Sequence, residues 1–209
     1  MANSTPSALT VPVGTTPDDE TLTVDLRRNS AVLVAGIAGS GKTEMLRRMR
    51  YALERQIDDV CLFHAEGIRA NADDVILAAY EEMRRRMQER RRAEDRPAAL
   101  LVDDYGAMSI GRDRSDKSVR DIEEIAIKGR AAGVHLVLAT QAAEGIGGRL
   151  LMNMTTRIVL GRMAHPITRV FSDLERELIA DADINSAGPG GGVLIGADGN
   201  PVAFTSLPF

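Results

Sequence analysis

Eight residues at positions 36–43, Gly-Ile-Ala-Gly-Ser-Gly-Lys-Thr, have the types and spacing of a phosphate-binding loop. In such a loop the glycines allow tight turns, so that successive backbone N–H groups point at phosphate oxygens. Lys42 would reach the β- and γ-phosphates, and Thr43 would hold Mg²⁺ through its hydroxyl. The sequence therefore predicts a site for a nucleotide and Mg²⁺. Its expected nucleotide contacts are Gly36, Ala38, Gly39, Ser40, Gly41, Lys42, Thr43 and Glu44.

Acidic and amide side chains follow two other apolar runs of the chain. Asp103 comes directly after one run, and we expect it at the edge of the sheet beside the loop, where it would order the Mg²⁺ ligands. Asp104 is placed to polarise an attacking water, although it is one methylene shorter than the glutamate common at this position. Gln141 ends the other run and could sense the γ-phosphate. The plain alternatives are a solvated turn for the two aspartates and a helix cap for Gln141.

The elements that must position these residues alternate along the chain. Apolar or alternating runs predict strands at 21–26, 32–36, 60–64, 99–104, 135–140 and 157–161, the first of them at a half-exposed edge. Helices are predicted at 42–56, 72–92 and 118–132, the last with a capping box of Ser118 and Asp121 and a stop at Gly133. Residues 191–196 and 202–205 predict a terminal β-hairpin. The pattern favours an α/β fold with a mostly parallel sheet covered by helices on both faces.

Composition limits the classes of protein that fit. The 209 residues, 44% apolar and 27% charged, suit one domain, expected at 11–209 after a flexible tail at 1–10. A net charge of −4 and the absence of Trp argue against a basic protein that stacks nucleic-acid bases. The single Cys61, the lack of a bilayer-length apolar stretch and a polar N-terminus predict a cytoplasmic chain without a transmembrane segment.

Two basic segments could contact a charged polymer. The loop at 111–117 carries Arg112, Arg114 and Lys117, which could meet DNA phosphates. Residues 84–96 contain seven arginines against three acidic residues, a local charge of +4. The plain alternatives are a surface loop for the first segment and a solvated or inter-subunit face for the second.

Several of these segments resemble the motor ATPase domain of the FtsK/SpoIIIE type, within the FtsK/HerA superfamily. The most specific is residues 129–141, Gly-Arg-Ala-Ala-Gly-Val-His-Leu-Val-Leu-Ala-Thr-Gln, close to the family signature R-A-x-G-I-H-L-x-x-A-T-Q. The phosphate-binding loop, residues 81–86, residues 153–158 and the glycine-rich hairpin also fit. The resemblance extends over residues 11 to 209 and implies a RecA-like P-loop NTPase fold.

The resemblance implies a function and partners. Members of this family form rings, typically hexamers, that use ATP and Mg²⁺ to translocate double-stranded DNA. One branch, the EccC-type ATPases, drives type VII protein secretion, so a protein substrate or a membrane-anchored partner is the alternative. A neighbouring subunit is expected to supply an arginine, and Arg130 and Arg157 stand at the matching positions. The plain alternative is that either arginine pairs with a carboxylate of its own subunit.

Three features depart from the family pattern. Asp104 replaces a glutamate, Ala142 and Ala143 replace an Arg-Pro pair, and the segment between the phosphate-binding loop and the acidic strand is short. The sequence Asp-Asp-Tyr at 103–105 resembles the less active domains of the secretion branch. A third hypothesis is therefore that ATP serves mainly to assemble subunits, with little hydrolysis.

Overall fold

The structure is a computed structural model that describes residues 9–56, 61–67, 69–89, 97–113, 115–142, 146–161, 170–181 and 190–207. These residues form one nine-stranded sheet and six helices. The strands are β1 (Thr10–Thr15), β2 (Thr21–Asp25), β3 (Ala31–Gly36), β4 (Cys61–Glu66), β5 (Ala98–Asp103), β6 (Val134–Thr140), β7 (Thr156–Leu160), β8 (Gly191–Ile195) and β9 (Pro201–Ser206). The helices are α1 (Lys42–Gln56), α2 (Ala72–Gln88), α3 (Tyr105–Ser109), α4 (Lys117–Ala132), α5 (Gly148–Asn153) and α6 (Asp173–Asp181).

Five parallel strands, in the order β7-β3-β6-β5-β4, form one half of the sheet. Every residue of β3, β5 and β6 is buried, because helices cover both faces of these strands. Parallel strands place all their carboxyl ends at one edge. The end of β3, which begins the phosphate-binding loop, therefore lies beside the ends of β6 and β5, and the predicted α/β fold is confirmed.

Four antiparallel strands, β8, β9, β1 and β2, extend the sheet on the other side. The predicted hairpin is present, and β2 lies at the sheet edge as expected. Strand β1 was not predicted, because it contains Pro12 and Gly14, which are uncommon inside strands. Val11 and Val13 of this strand are nevertheless fully buried. Leu9 is buried and Thr10 begins β1, so these two residues of the tail predicted at 1–10 belong to the fold, while residues 1–8 lie outside the described residues.

Two apolar cores lie on opposite faces of the sheet. Alternate residues of a strand point to opposite faces, so Val32 and Val34 contact the core formed by α1, while Leu33 and Ala35 contact the core formed by α2 and α4. This sorting anchors α1 on one face, directly after the phosphate-binding loop. None of the helices among the described residues is both long and apolar enough to span a bilayer.

Some element ends differ from the predictions. Helix α4 is capped by Asp116, whose Oδ1 accepts the N–H groups of Ser118 and Val119, so the predicted capping box is wrong. Gly133, at φ 66°, ends α4 as predicted. Strand β4 continues two residues further than expected, to Glu66, while residues 60 and 90–92 of the predicted elements lie outside the described residues. Helices α3, α5 and α6 were not predicted; the first two span only 5 and 6 residues, too short for a periodic pattern.

Candidate nucleotide-binding site

The loop between β3 and α1 has the backbone that a phosphate cradle requires. Gly39 and Gly41 adopt φ values of 76° and 98°, which residues with a side chain rarely adopt. At Gly36 a Cβ would lie 2.3 Å from Ser40 Oγ and 2.7 Å from the carbonyl oxygen of Leu160, so no side chain fits. The first turn of α1 then presents its free N–H groups at the same place.

Lys42 is the first residue of α1, and its ammonium group folds back over the loop. The side chain is buried, and Nζ donates a hydrogen bond of 2.8 Å to the carbonyl oxygen of Ile37. Burial lowers the pKa of Lys42, while the nearby carboxylates of Asp104 and Asp103 act in the opposite direction. Phosphate oxygens in the loop would add hydrogen bonds and further counter-charge to this partly desolvated cation.

A cavity of about 330 Å³ brings the predicted groups together. Six predicted loop residues form one wall, namely Ala38, Gly39, Gly41, Lys42, Thr43 and Glu44. Asp103, Asp104 and Gln141 form the opposite wall. Gly36 and Ser40 lie outside this lining, and Ser40 Oγ is buried without a hydrogen-bond partner in the described part of the chain. A buried hydroxyl without a partner at this point fits a loop that binds a ligand.

The acidic wall contains a strained residue. Asp103 is the last residue of β5 and is buried, whereas Asp104 adopts the left-handed conformation at φ 53° and ψ 54°. Gln141, just past the end of β6, donates from Nε2 to Asp104 Oδ2 at 2.9 Å. Such a backbone conformation costs roughly 1–3 kcal/mol and is typical of functional sites. The two predicted residues thus form one hydrogen-bonded pair, which the sequence alone did not indicate.

The oxygen atoms on the cavity wall suit Mg²⁺. Thr43, which is exposed, and Asp103 both line the cavity. Thr43 supplies a hydroxyl oxygen and Asp103 a carboxylate oxygen, and Mg²⁺ prefers oxygen ligands of this kind. Among the described residues no group of three or more His, Cys, Asp or Glu side chains could hold a metal.

The two arginines expected to act on a neighbouring subunit are in different situations. Arg157 Nη1 donates to both carboxylate oxygens of Glu175 at 2.7 Å and to the carbonyl oxygen of Val170, so its guanidinium is committed within its own subunit. Arg130 is exposed in the last turn of α4 and has no ion pair among the described residues. Both lie toward the amino ends of the strands, away from the loop of their own subunit.

Two of the basic residues predicted to contact a polymer form ion pairs within the chain. Arg112 donates to both carboxylate oxygens of Asp73, at 2.6 and 3.1 Å, and Lys117 pairs with Asp121 at 2.5 Å. Arg114 lies outside the described residues. The structure does not bring Arg112 and Lys117 together as an unpaired basic surface.

Sequence reasoning missed the groups at the end of β4. A second cavity, of about 250 Å³, includes His64, Glu66 and Arg69 and shares Thr43, Asp103 and Asp104 with the first. The signal was present, because β4 is parallel to β5 and its carboxyl end must reach the same edge. Because the predicted strand ended at residue 64, Glu66 was not expected at this edge.

Known structures resemble this fold. The conjugation coupling protein TcpA of pCW3, in its monomer form with ATPγS, superposes with a TM-score of 0.71 at 20% identity over 96% of this chain. The cytoplasmic domain of the Type VII secretion ATPase EccC from Thermomonospora curvata gives 0.69 at 20% over 95%. The genome-packaging NTPase B204 of Sulfolobus turreted icosahedral virus 2, bound to AMPPCP, gives 0.60 at 12% over 87%.

These similarities concern the fold. The chain spans 66% of TcpA, 28% of the EccC domain and 99% of B204. No protein-family model matches the chain, and no curated protein is similar to it in sequence. The chain shares its fold with these proteins, and this is the P-loop NTPase fold that the sequence resemblance implied.

Proposed function

We propose that this chain is the ATP-binding and ATP-hydrolysing core of a ring motor that translocates double-stranded DNA. One observation carries the proposal: a single cavity joins the lysine and threonine of a phosphate-binding loop to two aspartates and a glutamine from neighbouring parallel strands. A site that only bound a phosphate would need the loop, whereas hydrolysis also needs groups that place a metal and a water.

Each group has a role in this reaction. Lys42 and the loop N–H groups would bind the β- and γ-phosphates, and Thr43 and Asp103 would hold Mg²⁺, which neutralises phosphate charge when it is bound. Asp104 would accept a hydrogen bond from the attacking water. Gln141 fixes the Asp104 carboxylate at 2.9 Å and would link its position to the state of the γ-phosphate.

A ring, expected to be a hexamer, would complete the site with an arginine from the next subunit. Arg130 suits this role better than Arg157, because Arg157 is already paired with Glu175. Arg130→Ala should lower turnover by about 10³-fold, the scale typical of such arginines, while the isolated subunit still binds nucleotide. Arg120→Ala, an exposed arginine on the same helix, is the matched control.

The nature of the cargo divides the alternatives. Arg112 and Lys117 pair with carboxylates at that loop, so contact with DNA phosphates there would first have to break these pairs. A solved structure of EccC from Thermomonospora curvata contains a signal sequence peptide, and its fold is similar to that of this chain at a TM-score of 0.65. The short, strained Asp104 favours the other alternative, in which ATP mainly holds subunits together.

Steady-state ATP hydrolysis with and without double-stranded DNA tests the proposal. The wild type should hydrolyse ATP faster when DNA is added, and Lys42→Ala should abolish turnover. Lys128→Ala removes a surface lysine that pairs with Glu124, and it should behave as the wild type. ATP hydrolysis that does not respond to DNA would contradict the DNA cargo and favour a protein cargo. Nucleotide-dependent assembly without ATP hydrolysis would favour the hypothesis that ATP serves mainly to assemble subunits.

A further inference from the structure

The end of β4 brings one more carboxylate to the nucleotide site. The second cavity, which contains Glu66 and His64, shares Thr43, Asp103 and Asp104 with the nucleotide cavity. The space suited to phosphates and the space lined by Glu66 therefore share three lining residues. None of the roles proposed above uses this residue.

Strand register places Glu66 on the correct face. Glu66 is the direct partner of Asp103 in the parallel pair of β4 and β5, so their side chains leave the same face of the sheet. That face packs against α1, since Leu62 of β4 and Leu101 of β5 both contact the core built on that helix. Glu66 therefore lies on the face of the sheet that α1 covers rather than on the face that α2 covers. It lines the second cavity together with Thr43, which lies in the first turn of α1.

The chain after β4 is held tightly against the two aspartates. Gly67 donates its N–H to the carbonyl oxygen of Asp103 at 2.8 Å. A Cβ at Gly67 would lie 2.4 Å from the carbonyl oxygen of Asp104, so the two backbones touch. This contact fixes the position of Glu66 relative to the acidic wall, as a residue that acts on the same water would require.

Asp104 leaves a role for a second acid. Its side chain is one methylene shorter than that of glutamate, its backbone is left-handed, and its Oδ2 already accepts the amide of Gln141. One carboxylate oxygen remains to contact a water. The site therefore has a well-fixed but short acid beside a longer one on the next strand.

The charge states of the second cavity suit this role. The hydrogen bond from Arg69 is the main cause that lowers the pKa of Glu66, with Arg69, His64 and Arg47 adding electrostatic stabilisation of the carboxylate. Glu66 is therefore ionised at neutral pH. Burial, with a contribution from Arg50, lowers the pKa of His64. A water in this region would donate to Glu66 rather than accept from it.

We propose that Glu66 is a second carboxylate of the hydrolytic site, which orients the attacking water and supplies the reach that Asp104 lacks. The inference rests on the proposed ATP hydrolysis. In that step the water oxygen bonds to the γ-phosphorus while the bond from this phosphorus to the bridging oxygen breaks. The electron pair of that bond leaves with ADP, and both water protons leave with the phosphate as H₂PO₄⁻. Glu66 holds the water in line and takes no proton.

The test compares Glu66→Gln with the wild type in kcat and in affinity for ATPγS. Glu66→Gln should lower kcat by about 10- to 100-fold, the scale expected for the loss of a hydrogen bond from the water to a charged group. Its Kd for ATPγS should stay within about twofold of the wild type. Glu54→Gln, which removes another glutamate that pairs with a nearby arginine but lies at the far end of α1, should leave both values unchanged.

A rescue separates a catalytic role from a structural one. If the side chain of Asp104 is too short to orient the water alone, Asp104→Glu in the Glu66→Gln background should restore kcat to within about threefold of the wild type. The inference is overturned if Glu66→Gln keeps wild-type kcat, if its nucleotide affinity falls along with kcat, or if Asp104→Glu gives no rescue. A wild type with no turnover at all would instead remove the proposed function, which distinguishes the two failures.

Discussion

The two edges of the parallel sheet differ in how each holds a buried cation. At the amino edge, Arg86 is buried, yet it donates to Glu82 Oε1 at 2.7 Å and to the carbonyl oxygens of Ala132 and Gly133. Those carbonyl groups end α4, where a cation is favoured. The charge is therefore fully used to join α2 and α4.

At the carboxyl edge, polar groups are left incompletely satisfied. Lys42 is buried beside carboxylates, Asp104 is left-handed, and Ser40 Oγ and Glu44 Oε1 are buried without hydrogen-bond partners in the described part of the chain. Buried polar groups without partners and strained backbones destabilise a fold unless a ligand completes them. Both ring nitrogens of His135, at the amino edge, also lack hydrogen-bond partners in the described part of the chain. The two edges therefore differ mainly in their buried cations, since Arg86 joins two helices whereas Lys42 lines the nucleotide cavity.

The largest expected effect is on activity at the carboxyl edge. Asp103→Asn keeps the shape of the side chain but removes its charge, so we expect turnover to fall by about 10³-fold. The free energy of unfolding should change by less than about 1 kcal/mol, since little stability depends on this group. ATPase assays and urea denaturation measure the two quantities, and Asp18→Asn, at an exposed site, is the control. A large loss of stability would contradict the division of roles.

The next effect is on stability at the amino edge. Glu82→Gln removes the charge of the carboxylate that the buried Arg86 contacts at 2.7 Å, and we expect a loss of about 3 kcal/mol in the free energy of unfolding. Glu54→Gln breaks an exposed pair and should cost less than about 0.5 kcal/mol. Denaturant titration measures both. Equal losses in the two variants would show that burial of the pair is unimportant.

The pH dependence of stability should also originate at the amino edge. Burial, followed by the charge of Arg27, lowers the pKa of His135 to about 4 from 6.5. Between these values the unfolded chain binds a proton that the folded chain does not. Stability is therefore complete above about pH 6.5 and falls as the pH drops toward 4, by roughly 3 kcal/mol. His135→Leu should lose this part of the pH dependence, as denaturation at several pH values would measure. An unchanged profile would contradict the assignment.

The smallest expected effect comes from one substitution that should raise stability while it removes activity. Asp104→Gly removes a left-handed residue with a side chain and should raise the free energy of unfolding by about 1 kcal/mol while it abolishes turnover. Asp19 is also left-handed, at φ 60°, but it is exposed and distant from the cavity. Asp19→Gly should give a similar gain with normal turnover. A loss of stability in Asp104→Gly alone would mean that its side chain stabilises the fold.

Several parts of the molecule follow from the sequence by itself. The phosphate-binding loop, the apolar strands with helices between them, the acid after β5 and the terminal hairpin are all encoded by residues close together in the chain. Backbone conformation and apolar periodicity depend on such local residues, so these features were predictable. The fold class and the grouping of Lys42, Asp103 and Gln141 at one edge followed from the rule that parallel strands share their ends.

Other features were decided only by the tertiary structure. The pairing of Arg157 with Glu175 and of Arg112 with Asp73 removes residues that looked available in the sequence. Strand β1 forms because β2 and β9 flank it, despite its proline and glycine. Glu66 comes to lie beside Asp103 through strand register, although Asp103 is 37 positions later in the chain. These outcomes depend on contacts between residues distant in sequence, and no local pattern reports which partner a charge or a strand will find.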